Sequence, residues 1–319
     1  MIAHPHAVLD VRPGPARSTL TAALDALAGA ERTLDGWRVL AATATHDLVA
    51  ARLAEAHLDA TGILRQLGGD PPRPGSLWGV WAAQARHTGV EAASGPDGWT
   101  LTGTVPWCSG SDRCTDALVT AGERLFAVAL DDPTVTAGAD PWVGLGMAGA
   151  GTTTVRFDGT RAHPVGGPRD YLERPGFWHA AAGVAAVWFG GAVGVARPLR
   201  ARIAEGRGDA HDAAHLGRVD AALGAAATML REAAAAADAD LDTVPTARRR
   251  ALAVRATVET AVETALRSTG RATGPGPLAH DAAHARHVAD LEVYVRQSHA
   301  ERDFAALGTL AVEQPEVTL

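Results

Sequence analysis

Residues 97–121, DGWTLTGTVPWCSGSDRCTDALVTA, read as two short strands around a tight polar turn. They sit in a chain whose other parts carry Ala-rich helical periodicity. A small β unit held between two helical arms limits the architecture to a helical, β, helical order. The turn also sets an indole and a hydroxyl two residues apart, at Trp107 and Ser109.

The flanking segments define three units. Residues 18–67 repeat Leu20, Leu24, Leu27 and then Leu48, Ala51, Leu53, Ala56 at three- and four-residue spacing, which predicts two or three helices. GGDPPRPG at 68–75 is a breaker cluster and marks a boundary. From Ser76 to Pro168 glycines punctuate short alternating runs such as WTLTGTV, DALVTA and RLFAVAL, a strand-rich pattern. Helical periodicity returns from Tyr171 and is expected to form a four-helix bundle, its last helix running from Asp281 to Leu307. The expected domains are therefore 1–75, 76–168 and 169–319, and the fold class is α+β, mostly α.

Absences exclude several chemistries. All 29 basic side chains are arginine, because the chain has no lysine. Schiff-base catalysis and a phosphate-binding loop of the Walker type therefore have no side chain to use. Asparagine is also missing, and both gaps fit the codon bias of a GC-rich genome. The net charge of −7 argues against a general nucleic-acid binder. The only cysteines, Cys108 and Cys114, fit no zinc spacing and read as structural thiols. The N-terminal residues carry no basic region followed by an apolar core, and the apolar stretch 180–196 is glycine-broken and short for a bilayer. A cytoplasmic protein is expected.

The chain resembles the acyl-CoA dehydrogenase superfamily of flavoproteins, as a divergent and shortened member. The order of parts carries the resemblance, together with WTLTGTVPWCSGS (99–111), TDALVTA (115–121), GLGMAGAGTTTVRFDGTRAHP (144–164) and HARHVADLEVYVRQSHAERD (284–303). It covers most of the chain from Ser76. It implies N-terminal helices, a small central β-barrel and a C-terminal four-helix bundle. It also implies an FAD cofactor and a CH–CH oxidation of an acyl-thioester or related small molecule.

The resemblance assigns candidate residues. A flavin ring needs an apolar or aromatic wall and donors at its polar edge. Trp107 supplies the wall and Ser109 the donor; without the resemblance, Trp107 reads as a barrel-core residue. VWAAQ (80–84) stands where the family has a segment touching the pyrimidine end of the ring, which assigns Trp81 and Gln84. Arg202, Arg207 and Arg218 are phosphate candidates by location only. The family's catalytic glutamate is missing, for the matching stretch reads VYVRQSHAERD (293–303). His299 and Glu301 are the candidate bases, Glu301 on the premise that it shares a helix face with Gln297. Members that use reduced flavin with oxygen as monooxygenases also lack that glutamate. A catalytically silent oligomeric scaffold is the reading from outside enzymology.

HDAAH occurs at 211–215 and again at 280–284. On a helix each pair of histidines would share a face, but no third ligand accompanies them and no metal is expected. The apolar surface of 180–196 and 247–269 points to a homodimer or a dimer of dimers.

Overall fold

The computed structural model describes residues 17–82, 89–138 and 142–313. Three helices open the chain, α1 (Arg17–Ala28), α2 (Thr33–Ala44) and α3 (Leu48–Leu67). Asp47 starts α3 by accepting the Ala50 N–H at 2.8 Å. Gly68 ends it in the left-handed conformation with φ 72°. The breaker cluster that follows leads into the sheet.

Seven strands are present among the described residues: β1 (Trp78–Trp81), β2 (Val90–Gly95), β3 (Gly98–Cys108), β4 (Asp116–Ala121), β5 (Arg124–Ala129), β6 (Val135–Ala137) and β7 (Thr153–Val165). The pairing path is β1-β4-β5-β7-β3-β2, with β6 added on β7. The expected barrel is not closed, since β1 and β2 are the two ends of this path. Each end is occupied differently. Trp78 of β1 joins one apolar cluster with Ala60, Ile63 and Leu64 of α3. Most of β2 is exposed. The 13-residue β7 holds the halves together, pairing β3 along 153–162 and β5 along 163–165.

The opening stretch also differs from a simple hairpin. β3 pairs with β2 and β7, and β4 with β1 and β5. The turn at 109–115 therefore crosses from one half of the sheet to the other. Leu101, Val105, Phe126 and Phe157 fill the space between the halves.

Three helices of 30 residues follow, α4 (Pro175–Ala204), α5 (Ala210–Ala239) and α6 (Val244–Thr273). Asp209 and Thr243 cap α5 and α6 through reciprocal capping boxes. The fourth position of the expected bundle is not one helix. It is shared by α8 (Ala282–Tyr294) against α4 and α9 (Glu301–Glu313) against α6, after the short α7 (Gly276–His280). Asp281 caps α8, accepting the N–H groups of Ala283 and His284 at 3.0 Å. His280 and His284 therefore lie on different helices, and no metal-binding cluster of His, Cys, Asp or Glu occurs among the described residues.

α4 is long and apolar enough to cross a membrane by length and composition, but it is the central helix of the fold and mostly buried. Its glycines let neighbours approach. A Cβ at Gly190 would lie 2.2 Å from the Ala41 carbonyl oxygen of α2. One at Gly194 would lie 2.3 Å from the His287 ring of α8. A single apolar core joins α2, α3, α4, α5, α6 and α8 around Trp188, Leu40 and Leu48.

Candidate functional site

The turn after β3 builds the first wall of a cavity. Trp107 has φ 63°, a left-handed conformation that bulky side chains rarely adopt. The residue is 64% exposed. The plain reading of Trp107 as a core residue is thus corrected: the register between β3 and β7 shifts after Val105 and turns its indole out of the sheet. The Ser109 N–H donates to the Trp107 carbonyl at 3.0 Å. The Trp81 indole N–H donates to the Ser109 carbonyl at 3.1 Å. Trp81 is buried in the sheet core and fixes this turn from beneath; its ring is not in the cavity wall. Gln84 lies outside the described residues.

Residues 142–152 form the second wall. Trp142 meets Trp107 edge to face at 6.0 Å and donates its indole N–H to the Gly146 carbonyl at 2.9 Å. The Met147 N–H donates to the buried Asp290 carboxylate at 2.5 Å, which ties the loop to α8. Gly146 makes that approach possible, since a Cβ there would meet the Ala289 carbonyl at 2.1 Å. Thr152 shares a hydrogen bond with Ser109, Oγ1 to Oγ, at 3.1 Å.

The break between α8 and α9 supplies the third wall. Val295–Gln297 tighten into a 3-10 turn, Ser298 is extended, and Ala300 takes φ 46°. α6 holds this break from behind. Arg255 donates to the Gln297 carbonyl at 2.8 Å, and the Ser298 hydroxyl donates to Glu259 at 2.6 Å. Arg255 itself stacks over Trp188 at 4.6 Å. Tyr294, Arg296, Gln297 and His299 are left facing the cavity. The helix-face alignment expected of Gln297 and Glu301 does not exist, because the chain leaves the helix between them. Glu301 stands exposed in the first turn of α9, outside the cavity lining. His299 is exposed at the rim, with Nδ1 3.3 Å from the Asp303 carboxylate.

Between these walls is a volume of about 670 Å³, also lined by Arg52 of α3. Sites for small organic molecules have roughly this size. Arg52 pairs with Glu55 at 2.9 Å, while its buried Nε–H has no partner. No carboxylate lines the cavity among the described residues. Burial pushes the thiols of Cys108 and Cys114 up to about 12, so both stay protonated and unreactive. Of the arginines proposed by location, Arg202 pairs with Asp212 and Arg207 with Glu205, and neither these nor Arg218 line the cavity.

The structure thus brings Trp107, Ser109 and His299 to one cavity and leaves Trp81 and Glu301 off its wall. Arg52, Trp142, Thr152 and Tyr294 were not anticipated. Arg52 lies on an Ala-rich helix with no motif around it. Trp142 was legible only as an isolated aromatic in a glycine-rich stretch.

Neither a protein-family model nor a curated protein sequence matches the chain. Solved structures do. FMN-bound TdsC from Paenibacillus sp. A11-2 superposes with a TM-score of 0.79 at 17% identity, over 94% of this chain and 90% of that one. KijD3 in complex with FMN and dTDP-3-amino-2,3,6-trideoxy-4-keto-3-methyl-D-glucose gives 0.76 at 19% identity, over 97% and 89%. The 3-HSA hydroxylase from Rhodococcus sp. RHA1 gives 0.72 at 15% identity, over 97% and 93%. The chain has the acyl-CoA dehydrogenase-like fold.

Proposed function

We propose that this chain is a flavin-dependent oxidoreductase whose cofactor and substrate meet in the cavity between Trp107, Trp142 and Tyr294. One observation carries the reading: Trp107 is held at positive φ, exposed at the cavity wall, by the Ser109 N–H on its carbonyl, with the Ser109 carbonyl held in turn by the Trp81 indole. Backbone strain of this kind costs on the order of 1–3 kcal/mol and persists where surrounding structure imposes it. A use for the ring in the cavity accounts for it.

The residues present fit a flavin. The indoles of Trp107 and Trp142 offer apolar faces for a flat ring. The Ser109 and Thr152 hydroxyls can donate to a polar edge, and the unpartnered Arg52 Nε–H can serve an anionic one. Arg296 adds positive charge at the rim. When bound, the flavin would supply the two-electron chemistry. The TdsC and KijD3 structures named above contain FMN, and the sequence resemblance implies FAD; FMN and FAD share the ring that this wall suits.

Oxygenation of a small molecule suits the lining better than oxidation of an acyl-thioester. Removal of an α-proton needs a base, and the described lining has no carboxylate for it. TdsC is described as a dibenzothiophene monooxygenase and the Rhodococcus protein as a hydroxylase, which supports this choice. His299 is the imidazole at the rim, where it can hydrogen-bond a polar substrate. Gln297 and Tyr294 can orient a polar substrate. Two-fold assembly into a homodimer remains part of the proposal, read from the apolar helices.

The test is direct. Purified protein titrated with FMN and with FAD should quench flavin fluorescence, and Trp107→Ala should weaken binding by about tenfold or more. Protein that takes up neither flavin, or a Trp107→Ala variant that binds like the parent, would overturn the reading.

A further inference from the structure

A second chamber of about 210 Å³ lies between α2, α3 and α4. Glu55 lines it. The same Glu55 carboxylate pairs with Arg52 at 2.9 Å and accepts the Tyr294 hydroxyl at 3.4 Å, and Arg52 and Tyr294 both line the main cavity. One turn further along α3, Asp59 also lines the chamber. Asp59 has no hydrogen bond or ion pair among the described residues.

Most of the surrounding charges have partners of their own, while Arg174 and Arg52 also act on Asp59 through space and oppose the rise that burial causes. Asp238 at the chamber mouth is bound by Arg32 and the Thr33 N–H. His179 pairs with Asp242 at 2.9 Å. Arg174 donates to Gln66 and stacks on Tyr171. Glu31 and Arg65 complete the polar rim, and Arg255 of α6 lies behind Glu55. A carboxylate without a hydrogen-bond partner in such a setting is costly when charged, which favours its protonated form.

We propose that Tyr294, Glu55 and Asp59 form a proton-transfer chain that connects the main cavity to the second chamber. The inference rests on the reading of the main cavity as a redox site, where each turnover takes up or releases protons. A proton reaching the Tyr294 oxygen forms one O–H bond as the phenol's own proton passes to Glu55 and breaks another. Glu55 hands a proton to Asp59 through chamber water, for which the volume leaves room for several molecules. Asp59 releases it to solvent at the chamber mouth. No electron moves in these steps, and the reverse sequence delivers a proton. Burial pushes Glu55 up and, with the nearby Glu55 charge, raises Asp59 to about 7, a range suited to passing protons at neutral pH. Glu55 and Asp59 are positioning residues for proton movement; neither lines the main cavity.

Site-resolved carbon NMR of the carboxyl groups, on protein without added flavin, reads the chain itself. The expected result is an Asp59 midpoint near neutrality that falls in E55Q, because a neighbouring negative charge is gone. Y294F keeps the ring and removes the hydroxyl hydrogen bond, so the Glu55 midpoint should rise. An Asp59 midpoint in the ordinary carboxylate range, or a Glu55 midpoint unmoved by Y294F, overturns the proposal. In flavin-loaded protein, D59N should slow substrate-linked flavin turnover about ten- to hundredfold and remove the near-neutral step from its pH profile. A D59N profile parallel to the parent's also overturns it. Coupled carboxyls in a protein that binds no flavin would count against the redox reading alone. Flavin binding with uncoupled carboxyls would count against the chain alone.

Discussion

Trp107 carries two opposing demands that substitution can separate. Its left-handed backbone is unfavourable for any side chain with a Cβ, and glycine alone escapes the penalty. Trp107→Gly is therefore expected to unfold at a higher temperature than Trp107→Ala, by an amount worth about 1 kcal/mol. Both should bind flavin weakly, because both lose the indole wall. Equal melting temperatures in a calorimetric comparison would contradict the strain argument. Asp290 makes a second prediction at this scale. Burial raises its carboxyl to about 6, against an ordinary value of 3.8, despite the Met147 N–H it accepts. A group raised in the folded state favours folding while protonated, so its contribution is fully present below about 4 and is lost as pH rises through about 6. Asp290→Asn keeps an acceptor for Met147 and removes the charge. It is expected to be more stable than the parent at neutral pH, by up to about 3 kcal/mol, with the difference shrinking in acid. Denaturant unfolding at two pH values checks the sign.

Among the elements, the break between α8 and α9 matters most to the site, and it was hidden in the sequence. The stretch 281–307 carries unbroken helical periodicity, with no proline or glycine before Gly308 to interrupt it. The interruption comes from α6, through Arg255 on the Gln297 carbonyl and Glu259 on the Ser298 hydroxyl, contacts about forty residues away in sequence. Periodicity reports which face is apolar and cannot report a long-range partner that pulls the chain out of a helix. The same limit explains Trp81, whose segment was read as cofactor-facing while its indole supports Ser109 from within the sheet. By contrast, the turn at Trp107 and Ser109 was legible, because its small residues and flanking alternation are local signals. Ser298→Ala should lower stability by about 2 kcal/mol, since it removes a bond to a buried carboxylate whose remaining partner, Arg296, is 3.9 Å away. Flavin affinity should fall with it, as Gln297 and His299 lose their anchor. A variant as stable as the parent would show that Arg255 alone fixes the break.

At the scale of the whole molecule, α4 walls the second chamber, and its glycines set how tightly the rest closes around it. Gly190 faces backbone of α2, where a methyl group would sit 2.2 Å from a carbonyl oxygen with no side chain to yield. Gly190→Ala must therefore push α2 away from α4, at a cost of about 1–3 kcal/mol. α2 also walls the second chamber through Trp37 and Leu40, so the same displacement should open that chamber and return the Asp59 midpoint toward the ordinary carboxylate range. Gly224 on α5 provides the contrast. It is exposed, helical and has open space around it, so Gly224→Ala should stabilise by roughly 0.5–1 kcal/mol through helix propensity and leave Asp59 unmoved. If both substitutions moved the Asp59 titration equally, the carboxyl would be responding to global stability rather than to the α2–α4 contact. If only Gly190→Ala moves it, the packing of these two helices governs how far the second chamber is sealed from water.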